Sequence, residues 1–144
     1  MTSVLFDTNI LIDALKGYQE ALSELAYWDK PAISVVTWIE AYAGASAEEI
    51  PRFDDFLLKF GFEVIPIDES VMKGAAELLS SRRRHGRKIA LADAIIAVTA
   101  QLRHLTVVTR NTKDFKGRNV RVPYELQTTC TVTVINVIPP PRPH

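Results

Sequence analysis

Short apolar runs alternate with longer amphipathic segments along this chain, and each pattern predicts one type of element. Val4-Leu5-Phe6 is an apolar run closed by Asp7-Thr8-Asn9, which predicts a buried strand followed by a helix that the Thr8-Asn9 pair caps. Four more short apolar runs predict strands, at residues 32–36, 62–67, 106–109 and 119–122. Segments with helical spacing lie between them, at residues 10–16, 19–28, 37–45, 51–60, 69–83 and 90–102.

Strands that alternate with helices predict an α/β fold, a three-layer sandwich whose mainly parallel central sheet is flanked by helices. Pro66 favours an edge position for its strand, Asp68 is expected to cap the helix after it, and the basic run 82–88 is expected to be a loop. We expect one domain over residues 1–126. The tail at 127–144 ends in polyproline-like sequence and is open to several interpretations: an edge strand, a swapped segment, a disordered segment or an artefact.

Composition narrows the class of protein without indicating an activity. The 144 residues are 47% hydrophobic and 24% charged, which is ordinary for a globular domain with one core. Lys+Arg and Asp+Glu both number 17, so nucleic-acid binding must come from a local basic patch. The single cysteine, Cys130, excludes an internal disulfide, and neither a signal-peptide pattern nor a membrane-spanning apolar run is present. We therefore expect a soluble cytoplasmic protein.

Some carboxylates follow predicted strands or interrupt apolar sequence, and these are Asp7, Glu40, Asp93 and Asp114. Asp93 lies within the apolar run 89–98, where an ionised carboxylate costs several kcal/mol unless it is paired, hydrogen-bonded or bound to a metal. The other three follow strands whose carboxyl ends meet at one edge of a parallel sheet. Ordinary roles remain open for each: a helix cap, an exposed helix position, a first-turn acid and a turn residue, respectively.

Carboxylates gathered at one edge repel one another and raise one another's pKa unless a cation neutralises them. Oxygen ligands without a usable Cys or His pairing select a hard ion such as Mg²⁺ or Mn²⁺. The histidines, His85, His104 and His144, are too scattered to suggest a zinc site. The residues therefore predict a divalent-metal carboxylate site.

Four segments together resemble the PIN-domain ribonucleases, and within them the VapC toxins of bacterial toxin–antitoxin pairs. The segments are LFDTN at 5–9, SVVTWIE at 34–40, LADAIIA at 91–97 and TRNTKDF at 109–115, and they cover the chain to about residue 126. This resemblance implies a PIN-like fold and a Mg²⁺- or Mn²⁺-dependent endoribonuclease that hydrolyses RNA phosphodiester bonds. It also implies a VapB-like antitoxin that neutralises the enzyme, and a homodimer.

By the same resemblance, the metal-holding quartet would be Asp7, Glu40, Asp93 and Asp114. Asp7 and Asp93 would be direct ligands, and Glu40 or Asp114 would align or deprotonate the attacking water. Whether Asp114 or Asn111 completes the quartet is open. Supporting or substrate-orienting roles fall to Asn9, Thr37 and Thr109, with ordinary capping as the alternative, and Arg110 is a candidate phosphate contact.

Two other groups of residues allow more than one interpretation. The arginines before the Asp93 helix could contact RNA phosphates or an acidic antitoxin segment, or form a solvated loop; they are Arg82, Arg83, Arg84 and Arg87. An apolar helical stripe could cover a dimer or antitoxin face, or pack in the core; it comprises Phe53, Phe56, Leu57 and Phe60.

The alternative function is a non-catalytic PIN-like scaffold that binds RNA or protein without cleaving RNA. A receiver-like phosphoacceptor domain is disfavoured because Arg110-Asn111 follows the late strand, where a lysine is needed. A haloacid-dehalogenase-type phosphatase is disfavoured because Asn9 stands where it needs a second aspartate.

Overall fold

The fold was analysed in a computed structural model that describes residues 3–141, so that His144 and its neighbours at 142–143 lie outside the described residues. The helices and strands in this range are, in chain order, β1 Val4–Phe6, α1 Thr8–Leu15, α2 Gln19–Tyr27, β2 Pro31–Ser34, α3 Val35–Ala43, α4 Ile50–Phe60, β3 Glu63–Ile65, α5 Glu69–Arg84, α6 Leu91–Arg103, β4 Thr106–Val108, β5 Val120–Arg121, β6 Glu125–Thr128 and β7 Val132–Ile135. No helix in this range is long and apolar enough to span a bilayer.

The central sheet has the strand order β3-β2-β1-β4-β5, and every neighbouring pair is parallel. β1 is the middle strand, with Val4 aligned to Pro31 on one side and to Thr106 on the other. β3 lies at an edge, as predicted for the strand that precedes Pro66. The residue that follows β1 therefore lies at the middle of the carboxyl edge of the sheet.

Helices pack on both faces of this sheet, which confirms the predicted three-layer α/β fold. Successive residues of β1 point to opposite faces: Phe6 packs in the cluster with Ile10 of α1 and Phe53 of α4, whereas Leu5 packs with Ile96 of α6. All five are buried, so both layers are held by apolar burial against the same strand.

Close packing between α5 and α6 depends on Gly74. A Cβ atom at this position would lie 2.6 Å from Cγ1 of Val98, a distance that real side chains do not tolerate. The glycine therefore lets α6 approach α5 closely, which helps to fix the position of the first turn of α6 at the sheet edge.

Three local predictions were wrong for identifiable reasons. Val35 and Val36 begin α3 instead of ending β2, because the Ser34 hydroxyl accepts a hydrogen bond from the Val36 amide at 3.1 Å and caps the helix. Asp7, and not the Thr8-Asn9 pair, caps α1. The arginines at 82–84 form the last turn of α5 and not a loop, and basic side chains are favoured at a helix C-terminus.

Up to residue 141, the tail adds no edge strand to the central sheet; β7 pairs with β6 in a small antiparallel sheet instead. β6 runs across the predicted domain boundary at residue 126. The Ile138 amide donates to the Pro123 carbonyl, and Arg121 donates to the Ile138 carbonyl at 2.7 Å while it pairs with the buried carboxylate of Glu24. These contacts attach the segment up to residue 138 to the body of the domain.

Candidate metal and nuclease site

Asp7 lies at the end of the middle strand and is 3% exposed. Its Oδ1 accepts a hydrogen bond from the Thr8 backbone amide at 2.7 Å. Its Oδ2 accepts hydrogen bonds from the Thr109 hydroxyl at 2.6 Å and from the Asn9 side-chain amide at 3.1 Å. Burial raises the pKa of Asp7 and the Glu40 charge adds to that rise, while the hydrogen bonds from Thr109 and Thr8 oppose it. Asp7 therefore caps α1, and its carboxylate is buried at a cost to its charged form.

Asp93 lies in the first turn of α6 and is partly buried. Within residues 3–141, no donor makes a hydrogen bond to its carboxylate. Burial, followed by the negative charges of Asp7, Asp114 and Glu40, raises its pKa to about 6. The charges of Asp7, Asp114 and Glu40 therefore lie near enough to Asp93 to raise the pKa of its carboxyl.

Glu40 reaches the site from α3 and is exposed. Its Oε1 accepts the Thr8 hydroxyl at 2.9 Å, and Thr8 Oγ1 also lies 3.0 Å from Thr37 Oγ1. Thr37 is buried beneath this contact. Sequence reasoning treated Thr8 only as a cap, although its position directly after Asp7 on α1 points it towards the neighbouring helix.

Asp114 reaches the site from the turn after β4. Its Oδ2 accepts the Asn111 side-chain amide at 3.1 Å, while Asn111 Oδ1 accepts the Asp114 and Lys113 backbone amides. Asn111 is therefore engaged in stabilising the turn, and Asp114 presents the charge that acts on Asp93. This geometry favours Asp114 over Asn111 as the fourth acidic group.

Hydrogen bonds join α1 to the loop after β4 beneath the carboxylates. Thr109, fully buried, donates to Asp7 and accepts the Asn111 amide at 2.8 Å. Asn9 Oδ1 accepts the Arg110 backbone amide at 3.3 Å. Asn9 and Thr109 thus hold the orientation of Asp7, as expected for residues that support a metal ligand.

The Arg110 side chain is directed to Asp13, a buried residue that sequence reasoning missed. Arg110 Nε and Nη2 lie 2.8 and 3.3 Å from the two Asp13 oxygens, and the Tyr124 hydroxyl donates to the same carboxylate at 2.6 Å. Burial and Asp13 raise the pKa of Tyr124. The available signal was an aspartate inside the apolar run 10–15, the same signal that identified Asp93. This pairing counts against a phosphate contact by Arg110.

The donor set fits a hard divalent cation. It consists of carboxylate oxygens, one of them partly buried without a donor, and no histidine or cysteine is nearby among the residues brought together here. Within the described range, no group of three or more His, Cys, Asp or Glu side chains is arranged so that it could hold a metal ion, and the acids therefore do not form a metal cage as they stand. Mg²⁺ does not need such a cage, because it usually keeps several waters and binds one or two carboxylates.

A basic cavity of about 660 Å³ adjoins Asp114. Its cationic lining comes from the C-terminal part of α5, the loop after it and the turn after β4, and comprises Arg82, Arg87, Lys88, Lys113 and Lys116. Arg83 and Arg84 do not line it; Arg84 donates to Ser80 at 2.9 Å, and Arg83 borders a smaller neighbouring cavity beside Ile89 that shares Lys88 with the basic one. The structure thus divides the predicted arginine group in two. It also adds Lys113 and Lys116, which the sequence did not indicate as RNA contacts.

The apolar stripe on α4 packs in the core. Phe53 and Leu57 are buried there, and Phe56 and Phe60 pack against the same cluster. The exposed apolar residue of this helix is instead Leu58, which is 80% exposed.

Comparisons with known proteins agree with this architecture. The family model described as "PIN domain" matches residues 4–118. A solved chain titled as a toxin–antitoxin complex from Klebsiella pneumoniae is 40% identical with a TM-score of 0.71, over 85% of this chain and 98% of that one. Ribonuclease VapC10 of Mycobacterium tuberculosis is 34% identical over 115 residues, 78% of this chain and 85% of that protein. Toxin FitB of Neisseria gonorrhoeae is 41% identical over 63 residues, so the match spans 45% of its length.

Proposed function

The chain belongs to the PIN-domain family, and on that premise we propose that it is a divalent-metal-dependent endoribonuclease, a VapC-type toxin that hydrolyses RNA phosphodiester bonds. The observation that carries the proposal is Asp93: a partly buried carboxylate without a hydrogen-bond donor, with a raised pKa, in the field of three other acids. Relatives named as ribonucleases support the reaction, and a relative solved as a toxin–antitoxin complex supports the biological role.

We assign the cation to Asp7 and Asp93, with Glu40 and Asp114 beside it. Mg²⁺ or Mn²⁺ is the expected ion because all of these groups are oxygen donors. A divalent ion at such a site supplies Lewis acidity, a more acidic water and charge neutralisation for phosphodiester hydrolysis. Its binding would also relieve the mutual repulsion that raises the pKa of Asp93.

The protein's own groups prepare the reaction by orientation. Thr109 and Asn9 hold the Asp7 carboxylate from below, which leaves it little freedom to turn away. The Thr8 hydroxyl donates a hydrogen bond to Oε1 of Glu40. Oε2 of this exposed carboxylate is then available to accept a proton or a hydrogen bond from the attacking water. Asp114, braced by Asn111, is the second candidate for that role.

We propose that the basic cavity beside Asp114 holds RNA phosphates. The chain has no net charge, so attraction to RNA must be local, and this cavity concentrates cations next to the acidic site. Each phosphate contact adds about −0.7 to the slope of log K against log salt for single strands. The Arg82→Gln/Arg87→Gln variant should therefore have a slope that is less negative by roughly 1.4, if each arginine contacts one phosphate.

The matched control for this measurement is Arg83→Gln/Arg84→Gln, which removes the same charge from the last turn of α5 at two side chains that do not line the basic cavity. Its salt slope should stay close to that of the wild type. Equal slopes for the two double variants and the wild type would remove the cavity from the RNA interface.

The proposed partner is a VapB-like antitoxin, which by the family resemblance places a basic residue among the carboxylates. The same acidic cluster that selects a cation would accept an arginine or lysine side chain. A homodimer remains a further prediction of that resemblance.

The test of the function is incubation with total cellular RNA in Mg²⁺, in EDTA and as the Asp93→Asn variant. We expect cleavage only by the wild type in Mg²⁺. A non-catalytic scaffold would instead bind RNA and leave it intact in all three conditions. Cleavage that persists in EDTA would contradict the metal-dependent reaction.

A further inference from the structure

A second cavity, of about 470 Å³, adjoins the basic one. Asp114 and Lys116 line both cavities, so the two cavities meet at these residues. The second cavity runs between α6 and the strands β4 and β5 on the flank of the sheet. Its volume lies within the range of about 300–1,000 Å³ that is typical of small-molecule sites.

The walls of this side cavity are mainly apolar and include the larger side chains of Leu105 and Phe115. Ala97 and Ala100 face it from α6, and Val107 and Val120 face it from the strands. None of these side chains carries a polar atom that needs a partner. These side chains line an apolar slot in which the faces of a flat group can be desolvated.

The rim of the side cavity carries polar side chains that the fold does not use. Gln101, His104 and Asn119 line it and are exposed. Their backbone groups are engaged, since His104 N donates to Gln101 O and Asn119 O accepts the Val107 amide, but their side chains make no hydrogen bond within residues 3–141. Donors and acceptors are thus free at the mouth of an apolar slot.

We propose that this side cavity binds one unpaired nucleobase of the RNA substrate, an inference that rests on the proposed nuclease function. A nucleobase is flat, with apolar faces and a hydrogen-bonding edge, and proteins that read RNA take up splayed-out bases of single strands in this way. Asn and Gln amides pair with base edges through two hydrogen bonds. Phosphates held by the basic cavity would direct an adjoining base past Lys116 into the slot.

The observations favour RNA over a protein segment as the occupant. The side cavity adjoins a depression that is lined by five Arg and Lys side chains, which attracts a polyanion. The amide groups at its rim match the hydrogen-bonding edges of bases. The cavity would then select a base near the cleaved bond, because Asp114 belongs both to it and to the acidic site.

The first experiment measures base preference. A pool of random single-stranded RNA is cleaved in Mg²⁺ and the new ends are sequenced, with the wild type, with Gln101→Ala/Asn119→Ala and with Gln127→Ala, an exposed glutamine outside the cavity. We expect the wild type and Gln127→Ala to share a preference at one position, and the double variant to lose about tenfold of it. Ala97→Leu, which narrows the slot, should lose the preference as well.

The second experiment measures base insertion without cleavage. Oligonucleotides with 2-aminopurine at a single position are titrated with the wild type in EDTA, and insertion into the slot should change their fluorescence; the double variant should not change it. Insertion without any cleavage in Mg²⁺ would refute the nuclease function while supporting the nucleobase site. If every variant cleaves RNA with the same base preference, the nucleobase site is overturned and the nuclease function stays intact. The same conclusion follows if the double variant weakens only the binding of the antitoxin.

Discussion

Replacing Asp93 by asparagine should stabilise the metal-free protein at pH 8 and have much less effect at pH 4.5. The pKa of this carboxyl is about 6 in the folded protein against an ordinary value of 3.8. That difference corresponds to about 3 kcal/mol at 1.36 kcal/mol per pKa unit, and solvent screening of a half-buried group reduces it to roughly 1–1.5 kcal/mol.

The sign follows from proton linkage. The folded state holds the Asp93 proton more tightly than the unfolded state, so the stability from this group is complete below about pH 4 and is lost as pH rises through about 6. Asparagine keeps the shape and lacks the charge. Its advantage over aspartate should therefore be a few tenths of a kcal/mol at pH 4.5 and should reach its full value by pH 8.

The assay is urea unfolding in EDTA at the two pH values, with Asp54→Asn on the exposed face of α4 as the control. At pH 8 the Asp93→Asn variant should also melt about 4 °C higher than the wild type. Adding Mn²⁺ should reverse the order, because the wild type gains binding free energy that the variant lacks. A variant that is less stable than the wild type at pH 8 in EDTA would refute the view that the charge of Asp93 destabilises the metal-free fold.

The remaining predictions concern packing and the support of the site. Gly74→Ala should destabilise by about 1–3 kcal/mol in chemical unfolding despite better helix propensity, because the new methyl group meets buried Val98 at 2.6 Å; unchanged stability would show that α5 and α6 can separate freely. Thr109→Val removes the 2.6 Å hydrogen bond to Asp7 and should cost about 1–3 kcal/mol while weakening Mn²⁺ binding in calorimetry; unchanged Mn²⁺ affinity would exclude it as a support. Arg110→Gln should cost roughly 3 kcal/mol, because it leaves its buried carboxylate partner unpaired, and a loss of RNA affinity without a loss of stability would restore it as a phosphate contact.

Hydrophobic patterning was sufficient to predict the parallel sheet and its layers. The short apolar runs that form β1, β2 and β4 bury their side chains as interior strands. The polar residue after each parallel strand then lies at the same edge of the sheet. The carboxylates at that edge were predictable because acids in apolar surroundings are costly. Asp93 is the clearest instance.

Other features depended on contacts between residues far apart in sequence. Arg110 pairs with Asp13 across 97 residues, and no local pattern distinguishes such an arginine from one that contacts phosphate. Likewise, Lys113 and Lys116 join Arg82 around one cavity only after α5 and the turn after β4 have packed together. Local capping at Ser34 overrode the β propensity of the valines that follow it.

The carboxylates at the sheet edge are proposed to bind the divalent cation at which the enzyme hydrolyses RNA. This proposal is tested most directly by the single-turnover cleavage rate of one RNA as a function of Mg²⁺ concentration, for the wild type, Asp93→Asn and the exposed control Asp54→Asn. The wild type and the control should share a saturating curve, while Asp93→Asn should cleave at least about 100-fold more slowly and need more Mg²⁺. An Asp93→Asn variant with the wild-type rate and the wild-type Mg²⁺ dependence would contradict the proposal.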